Sequence, residues 1–468
     1  MADIEDLGKF TFKNVFSLPK LLFSYWNSSI DKEPETKTIP KSQKIYVKTW
    51  GCSHNNSDGE YLSGILYNDG YFLVNEDDKH HADLWILNGC TVKNPSEDNF
   101  KNFITSAISN NIKIVLAGCI PQADKNNEIY KNYSIIGINQ LDRVSEVVEE
   151  TIKGNVVQLL KKTGNGGNKL DLPKIRKNNL IEIIPINTGC LNNCTYCKTK
   201  FARGNLNSYP MENILKRISN VINEGVTEIW LTSEDTGTYG RDINTNITVL
   251  LDNILNTISS NVMIRLGMTN PPYIIEHIDS IIKILQHQNI YSFLHLPVQS
   301  GSNKVLNHMQ RYYTKEDFCF LIDKLIEVIP DIHIATDIIC GFPTETEEDF
   351  LETIELLKKY NFITVNISQF YPRRGTIASE IKQLDTYTKK NRTRVASEFI
   401  HSYNPYEKYI GQIFNVLCTE ISAKNNYYVA HNKYYHQILV PKNDDLMGKF
   451  FNVRIIKAER YYMIGELL

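Results

Sequence analysis

Three segments in the first third of the chain share one hydrophobic pattern, an apolar β-branched run that stops at Gly-Cys. They are "KIYVKTWGC" ending at Cys52, "ADLWILNGC" ending at Cys90 and "IKIVLAGC" ending at Cys119. Helical-period stretches lie between them, and this alternation predicts a parallel sheet whose ligands bind beyond the carboxyl ends of the strands. The three cysteines should therefore meet at one sheet edge. The alternative is three small buried hydrophobes, because free cysteine is among the most buried residue types.

A second set of six apolar runs alternates with amphipathic stretches between residues 176 and 407. The runs are "IEIIPINTGC", "TEIWLTSED", "MIRLGMTNP", "YSFLHLPVQSG", "HIATDIICGFP" and "ITVNISQFYP". Six strand–helix units predict an incomplete parallel barrel, (β/α)6. Each run ends in Gly, Pro or polar residues, at the end where a parallel barrel keeps its active site.

The pattern changes near Glu407 to short strands without helices, such as "QIFNVLCTEIS" and "FFNVRIIKAERYYMIGEL". This predicts a small antiparallel β-barrel whose size and polar, aromatic face suit an oligonucleotide, with a purely structural barrel as the alternative. The fold class is therefore α/β, with domains at residues 44–152, 176–407 and 407–468. A linker rich in Gly, Asn and Lys is predicted near residues 161–178, and a flexible polar tail at residues 1–43.

Composition indicates the cellular compartment of the protein more clearly than its function. The 468-residue chain carries 51 basic and 53 acidic residues, so any surface for a nucleic acid must be local. Nine cysteines, clustered beside glycines rather than spread evenly, favour a reducing compartment. No stretch approaches the roughly 18 apolar residues of a membrane span. We therefore expect a cytoplasmic protein.

The stretch "TGCLNNCTYCKT" places Cys190, Cys194 and Cys197 at the end of the first barrel strand. Structural zinc would require a fourth Cys or His nearby, and the following "KTKFARGN" has none. A [4Fe-4S] cluster held by three thiolates instead leaves one iron without a protein ligand. S-adenosylmethionine chelates such an iron through its amine and carboxylate, and one electron then releases a 5′-deoxyadenosyl radical. The spacing, with the aromatic Tyr196 inside it, predicts this cofactor pair.

Many further stretches carry a resemblance to a known family. They include "TWGCSHNNSDGEYLSG", "LWILNGCTVKNPSED", "IVLAGCIPQA", "EIWLTSEDTGTYGRD", "LHLPVQSGS" and "ATDIICGFPTET". Over residues 44–468, with all three domains in order, the chain resembles the radical-SAM tRNA methylthiotransferases. The residues of "TWGCSHNNSD" and "LTSEDTGTYG" resemble in particular those of the eukaryotic and archaeal branch that acts on threonylcarbamoyladenosine.

This resemblance implies a second [4Fe-4S] cluster held by Cys52, Cys90 and Cys119. It also implies that the terminal barrel is a TRAM domain that helps to hold tRNA. The implied reaction replaces the C2 hydrogen of the adenosine at position 37 with a methylthio group. It uses one S-adenosylmethionine as radical source and one as methyl donor, together with an unidentified electron donor and sulfur source. A radical route suits an aryl C2–H, which is neither acidic nor electrophilic.

Polar residues at the barrel strand ends are further candidates for the cofactor site. In relatives, polar groups at the end of the second strand hold S-adenosylmethionine, and here those positions are Ser233, Glu234 and Asp235, with a loop cap as the alternative role. The other strand-end candidates for cofactor binding are Gln299, Ser300 and Asp337.

Several single residues leave two interpretations open. Arg203 either neutralises a carboxylate or lies on the surface, and Phe201 occupies a position where many relatives have His. Arg374, in "FYPRRGT", adds a charge near the substrate or is solvated. The basic run "TKKNRTR" is either a tRNA contact or a solvated helix face, through Lys389, Lys390, Arg392 and Arg394. Three cysteines lack partner spacing and are predicted to be packing residues: Cys319, Cys340 and Cys418.

Other functions remain as alternatives at this stage. Related methylthiotransferases modify isopentenyladenosine in tRNA or an Asp of a ribosomal protein, and a non-catalytic iron–sulfur RNA-binding protein is a different class altogether. Eukaryotic relatives often carry a C-terminal anchor to the endoplasmic reticulum, whereas this sequence ends at "YYMIGELL". We expect no such anchor, with peripheral association with that membrane as the alternative.

Overall fold

The computed structural model describes residues 41–91, 94–161, 170–259, 261–422, 426–442 and 445–468. Nearly all of the predicted N-terminal tail and residues 162–169 of the predicted linker lie outside the described residues. Within the described ranges, no helix has both the length and the apolar character needed to cross a membrane.

The N-terminal domain is built on a six-stranded parallel sheet in the order β2-β1-β3-β4-β5-β6. The strands are β1 (Lys44–Thr49), β2 (Phe72–Val74), β3 (Leu84–Gly89), β4 (Lys113–Gly118), β5 (Ser134–Ile136) and β6 (Gln158–Leu159). The helices are α1 (Ser53–Asn68), α2 (Asn94–Ser109), α3 (Cys119–Ala123) and α4 (Val144–Lys153). The three predicted strands are confirmed as β1, β3 and β4. The other three were not predicted because two or three residues are too short to show alternation, and β6 lies beyond the predicted boundary at residue 152.

Six parallel strands form the predicted incomplete barrel. They are β7 (Ile181–Pro185), β10 (Glu228–Thr232), β11 (Met263–Leu266), β12 (Phe293–His295), β13 (His333–Cys340) and β14 (Thr364–Gln369). They pair as β7-β10-β11 and β12-β13-β14, and one parallel bridge between Ile264 and Ile290 connects the two halves. The short antiparallel pair β8 (Asn187–Thr188) and β9 (Asn207–Ser208) flanks the three-cysteine stretch.

Helices surround the barrel because their apolar positions recur on one face, as in "NILKRISNVI", where Ile214, Ile218 and Val221 are buried. They are α5 (Thr199–Arg203), α6 (Met211–Asn223), α7 (Ile247–Thr257), α8 (Pro271–Ile275), α9 (Ile278–Gln286), α10 (Asn303–His308), α11 (Lys315–Val328), α12 (Glu347–Tyr360), α13 (Ile377–Glu380) and α14 (Thr386–His401). Capping boxes begin α11 at Thr314 and α12 at Thr346, so local sequence fixes where these helices start.

The terminal domain is a closed barrel in the order β15-β16-β17-β19-β18. Its strands are β15 (Ile413–Ile421), β16 (Tyr427–Asn432), β17 (Gln437–Pro441), β18 (Phe450–Ala458) and β19 (Met463–Leu467). The expectation of an antiparallel barrel needs one correction, because β17 and β19 run parallel. In a closed ring of five strands, the directions cannot alternate all the way round, so one pair must be parallel.

This terminal barrel covers the amino ends of the parallel strands. Thr419 Oγ1 donates to Glu228 Oε2 over 3.3 Å, and Glu228 is the first residue of β10. The guanidinium of the buried Arg265 lies 4.8 Å from the ring centre of Trp230 and 5.0 Å from that of Tyr435 in the terminal barrel. The N-terminal domain lies at the opposite end of the strands, where Cys190 is located.

Buried ion pairs hold the N-terminal domain against the parallel barrel. The ammonium of Lys174, whose side chain is 1% exposed, lies 3.1 Å from Glu60 on α1 and 2.9 Å from Glu182 on β7. Ser57 on α1 also donates to the carbonyl of Ile183 on β7 over 3.1 Å. Helix α1, which begins just after Cys52, is therefore fixed against the strand that leads to Cys190.

Candidate metal centre

One cavity of about 420 Å³ lies between the carboxyl ends of the N-terminal sheet and those of the barrel strands. All six predicted ligand cysteines line it. We call Cys190, Cys194 and Cys197 the barrel triplet, and Cys52, Cys90 and Cys119 the sheet triplet. The remaining cysteines lie elsewhere: Cys340 and Cys418 are fully buried in apolar clusters, and Cys319 packs against the barrel core. Their predicted packing role is confirmed.

Glycines explain how the sheet triplet comes together. Gly51 has φ +119°, and a Cβ at that position would lie 2.2 Å from the Cβ of Cys90. Gly118 has φ +86°, and a Cβ there would lie 2.3 Å from Oδ1 of Asn88. Only glycine adopts such backbone angles freely and allows so close an approach. The repeated Gly-Cys pattern is therefore the sequence signature of strand ends that nearly touch.

Two thiols of the sheet triplet share one polar neighbour. The Oδ1 atom of Asn55 lies 3.9 Å from Sγ of Cys52 and 3.5 Å from Sγ of Cys119. Burial raises the pKa of the Cys119 thiol to about 12, although the charge of Arg203 acts in the other direction. Burial likewise raises the pKa of Cys190 and of Cys194 in the barrel triplet. Such thiols ionise readily only when a metal takes the place of the proton.

The donor set fits iron–sulfur clusters better than single ions. Each triplet offers three sulfur atoms, and in the described residues the cavity lining adds no seventh thiol and no imidazole. Nowhere in the described ranges do three His, Cys, Asp or Glu side chains converge as closely as a single metal ion requires. A cube of four irons is larger than one ion, needs only thiolates, and tolerates one iron without a protein ligand. The residues present therefore fit one such cluster at each triplet.

Arg203 joins the two sides of the cavity. Its Nε atom lies 3.3 Å from Sγ of Cys119 and 3.1 Å from Oε1 of Glu234, and its Nη2 lies 2.6 Å from Oδ2 of Asp58. Nδ1 of His54 lies 2.9 Å from the same Glu234 oxygen. Of the two interpretations of Arg203, the neutralisation of carboxylates is confirmed, and the surface location is wrong.

The end of the second barrel strand is only partly at the cavity. Ser233 and Glu234 line it, and Oε2 of Glu234 is buried without a hydrogen-bond partner in the described part of the chain. Burial acts to raise the pKa of Glu234, but the charges of His54 and Arg203 outweigh it and lower that pKa. Asp235 instead lies behind the wall, where it accepts from Nδ2 of Asn270 over 2.6 Å. Its contribution to the cavity is indirect, through Asn270, which does line it.

The structure does not bring Gln299, Ser300 or Asp337 into the lining of this cavity. Oδ1 of Asp337 lies 2.9 Å from Nε2 of His295 and accepts from Nδ2 of Asn366 over 2.9 Å, inside the barrel. Gln299 has φ +71° and donates its backbone N–H to the carbonyl of Asp337 over 2.8 Å. Oγ of Ser300 lies 3.3 Å from Oγ1 of Thr353 on α12. These strand-end polar groups therefore bond to one another, to His295 and Asn366 and to α12, and they do not line the cavity.

Arg311 is a site residue that the sequence did not predict. It is 6% exposed, and its Nη1 donates to Sγ of Cys194 over 3.1 Å. Its Nε donates to the hydroxyl of Tyr313 over 3.2 Å, and its Nη2 contacts Oδ1 of Asn270. Arg311 follows α10 and is separated from the barrel triplet by more than one hundred residues, so only the fold brings them together. Asn55 and Asn270 were also missed, because no local pattern marks an asparagine as a site residue.

The mouth of the cavity is apolar and open. Phe201 and Ile377 line it and are 48% and 59% exposed. Arg374 is exposed and is not part of the lining.

The basic run on α14 is only partly available to a ligand. Arg392 is 5% exposed and lies 2.8 Å from Glu345 and 3.2 Å from Glu347, and Lys389 is 8% exposed. Of the four basic residues, Lys390 and Arg394 are exposed, so the two interpretations, a tRNA contact or a solvated helix face, stay open for these two alone.

Comparison with known proteins matches each domain. Residues 44–137 match the Uncharacterized protein family UPF0004, residues 184–357 match the Radical SAM superfamily, and residues 407–468 match the TRAM domain. Among solved structures, the radical S-adenosylmethionine methyltransferase TsrM from Kitasatospora setae, with cobalamin and a [4Fe-4S] cluster bound, aligns with a TM-score of 0.52 at 13% identity, over 72% of this chain and 77% of that one. That likeness concerns the fold alone, whereas the Radical SAM match implies a [4Fe-4S] cluster and S-adenosylmethionine.

Two relatives resemble the chain along nearly its whole length. The threonylcarbamoyladenosine tRNA methylthiotransferase of Xenopus laevis is 54% identical over 94% of this chain and 80% of its own length. The protein of the same name from Mus musculus is 53% identical over 100% of this chain and 83% of its own length. Identity at this level over 94% and 100% of the chain, together with the match to the Radical SAM superfamily, shows that the chain belongs to the radical SAM family of threonylcarbamoyladenosine tRNA methylthiotransferases.

Proposed function

We propose that this protein places a methylthio group on C2 of N6-threonylcarbamoyladenosine at position 37 of tRNA, with S-adenosylmethionine as both radical source and methyl donor. The observation that carries the proposal is the shared cavity, because both cysteine triplets open onto the same space. A site that must generate a radical and also deliver sulfur needs two metal centres within reach of one substrate atom. The names of the relatives from Xenopus laevis and Mus musculus support the choice of nucleoside.

The two triplets have different tasks in this proposal. The barrel triplet holds a [4Fe-4S] cluster which, when bound, supplies the electron that cleaves the sulfonium bond of S-adenosylmethionine. The sheet triplet holds a second cluster that takes part in sulfur delivery. An external one-electron donor and a sulfur source complete the reaction.

Residues of the cavity wall orient the cofactor. Ser233 and Glu234 line the cavity, and the unpartnered Oε2 of Glu234 is available to an ammonium group. The lowered pKa of Glu234 keeps this carboxylate charged. A charged carboxylate at this place suits the amine of S-adenosylmethionine, because a charge-assisted hydrogen bond is roughly twice as strong as a neutral one.

The substrate base must leave its stack to reach the cavity. An adenosine that remains in a stacked loop cannot bring C2 to a buried site, so the nucleotide has to be extruded. Phe201 offers an exposed aromatic surface at the mouth on which an unstacked base can lie, and base–aromatic stacking contributes about 1–3 kcal/mol. The terminal barrel contacts the opposite end of the parallel strands, so it is proposed to hold tRNA away from the reacting base.

A product assay tests this function. Reconstituted protein is reduced with dithionite in the presence of S-adenosylmethionine, sulfide and tRNA that carries N6-threonylcarbamoyladenosine, and the nucleosides are analysed by mass spectrometry. We expect 5′-deoxyadenosine and a nucleoside heavier by one methylthio group in place of hydrogen, and the Cys319→Ala variant should behave in the same way. Product only from isopentenyladenosine tRNA or from a ribosomal-protein Asp would support those alternatives. The absence of 5′-deoxyadenosine from iron-loaded protein would favour a binding protein without catalysis.

We also propose that the protein works in the cytoplasm. Six cysteines have to remain available as thiolates for iron, and a reducing compartment provides that condition. Recovery of the protein in a carbonate-resistant membrane pellet would contradict this location, and release by carbonate would indicate peripheral association with the endoplasmic reticulum.

A further inference from the structure

A buried arginine contacts each cysteine triplet. Arg203 is 5% exposed and its Nε donates to Cys119 in the sheet triplet over 3.3 Å. Arg311 is 6% exposed and its Nη1 donates to Cys194 in the barrel triplet over 3.1 Å. The guanidinium group stays charged at every pH at which proteins fold, so each triplet has a permanent cation beside one sulfur.

The two cations differ in what neutralises them. Arg203 forms ion pairs with two carboxylates, Asp58 at 2.6 Å and Glu234 at 3.1 Å. Those two negative charges cancel the positive charge of Arg203 and exceed it by one. Around the sheet triplet, the arginine therefore adds a hydrogen bond but little net positive charge.

Arg311 has no such partner. Among the residues that the structure describes, no carboxylate oxygen lies within 4 Å of its guanidinium, and its other contacts are the neutral Tyr313 hydroxyl and the Asn270 amide. The carboxylate of Asp235 lies one step further away, beyond Asn270, whose Nδ2 donates to it over 2.6 Å. From that distance, Asp235 interacts electrostatically with Arg311 and with Cys194, so it offsets part of the positive charge without an ion pair. The remaining charge acts on Cys194 and on whatever that thiolate holds.

An unneutralised cation next to a cluster affects its reduction. Adding an electron makes the cluster more negative, and a nearby positive charge stabilises that state more than the oxidised one. The effect is larger in a buried site, where charges are poorly screened. Net charge and hydrogen bonds to sulfur are among the features that set the potentials of iron–sulfur clusters.

We propose that Arg311 raises the reduction potential of the cluster at the barrel triplet above that of the cluster at the sheet triplet, and so directs the incoming electron to the cluster that cleaves S-adenosylmethionine. The proposal rests on the proposed function, because it requires both clusters. The external one-electron donor loses one electron and the barrel-triplet cluster gains it. No bond to Arg311 forms or breaks and no proton moves.

Reduction potentials test this assignment without an activity assay. Reconstituted protein is titrated with a low-potential reductant, and the reduced clusters are followed by electron paramagnetic resonance with iron content measured in parallel. The variant with Cys52→Ala, Cys90→Ala and Cys119→Ala isolates the cluster of the barrel triplet. In that background, Arg311→Gln should lower the equilibrium constant for reduction of the cluster at least tenfold. For a one-electron couple, this corresponds to a fall of about 59 mV in the midpoint potential. Arg311→Lys keeps the positive charge, so its midpoint potential should fall by less than half as much as that of Arg311→Gln.

A second variant tests whether the carboxylates that neutralise Arg203 keep the potential of the sheet-triplet cluster low. In protein whose barrel-triplet cysteines are replaced by Ala, Glu234→Gln removes one of the two charges that neutralise Arg203. It should therefore raise the potential of the sheet-triplet cluster. This measurement keeps the proposal testable if Arg311→Gln fails to hold iron. An unchanged midpoint potential in Glu234→Gln would overturn the proposed role of uncompensated charge.

Several results separate this inference from the function on which it rests. An unchanged midpoint potential in iron-loaded Arg311→Gln, equal losses in Arg311→Gln and Arg311→Lys, or equal potentials for the two clusters would each overturn the role of Arg311. These results would leave the two-cluster function intact. If replacement of the sheet triplet leaves the iron content of the protein unchanged, there is no second cluster, and the proposed function and the inference fail together.

Discussion

The two cysteine triplets reach the same cavity by different routes. The barrel triplet lies in one loop between β8 and α5, so chain connectivity alone keeps its members together. The sheet triplet is assembled from the ends of β1, β3 and β4, and it depends on the parallel register of those strands and on glycines where backbones nearly touch. The first site is therefore a property of a short motif, whereas the second is a property of a whole domain. Changes in the fold should damage the second site well before the first.

The largest effect is expected from the local motif. Cys194→Ala removes a ligand of the barrel triplet, so both 5′-deoxyadenosine and methylthio product should fall below detection, measured by liquid chromatography and mass spectrometry. Cys319→Ala is the control, since Cys319 lies outside the cavity. Normal 5′-deoxyadenosine release by Cys194→Ala would show that another ligand can replace this thiol.

The next largest effect is a loss of stability when Arg203, which contacts both sides of the cavity, is replaced. Arg203→Gln leaves Asp58 and Glu234 buried without their cation, and breaking such a buried ion pair costs about 3–5 kcal/mol. The free energy of unfolding, measured with urea, should fall by that amount. The control is Arg394→Gln, which removes an exposed pair with Glu398 and should cost about 0.5 kcal/mol or less. Equal losses in the two variants would contradict the buried network.

A smaller loss of stability should accompany selective damage to the sheet triplet. Gly51→Ala places a methyl group against Cys90, and overpacking of this kind costs about 1–3 kcal/mol. Gly154→Ala is a matched control, because Gly154 also has a positive φ, of 96°, but a Cβ there meets open space. We expect Gly51→Ala to lose iron from the sheet triplet and to retain 5′-deoxyadenosine release. Full iron content would mean that the strand ends can separate without losing the site.

The smallest effect should come from charges that contact neither triplet. Lys390→Gln with Arg394→Gln removes the two exposed cations of the run on α14. If they contact phosphates, the log–log salt slope of tRNA binding should decrease by about 0.7–0.9 per contact. Both 5′-deoxyadenosine release and iron content should stay unchanged. An unchanged affinity and salt slope would remove this helix from the tRNA surface.

The features that the sequence predicted correctly are those with a repeated or local pattern. Strand and helix alternation predicted the N-terminal parallel sheet and the parallel barrel, and Gly-Cys at three strand ends predicted that the sheet triplet comes together. Polar residues at strand ends were less informative, since Asp337 bonds to His295 inside the barrel while Glu234, at an equivalent type of position, faces the cavity. Spacing alone does not show which way such a side chain points.

Charged residues were the hardest to interpret from the sequence. In "TKKNRTR", Lys389 and Arg392 are three residues apart and share the buried face of α14, whereas Lys390 and Arg394 lie on the exposed face. The orientation of that helix depends on packing against the barrel, which no local pattern encodes. Arg311 was missed for the same reason, because its contact with Cys194 exists only after the barrel has formed.

The most direct test of two cooperating metal centres is Cys90→Ala, measured for iron, 5′-deoxyadenosine and product in one preparation. Cys90 belongs to the sheet triplet, and its replacement leaves the barrel triplet intact. We predict about half the iron, continued release of 5′-deoxyadenosine under reduction, and no methylthio nucleoside. If the sheet-triplet cysteines only pack, the variant will hold as much iron as the unaltered protein and will still methylthiolate tRNA after a modest loss of stability, and that result would contradict the two-centre site.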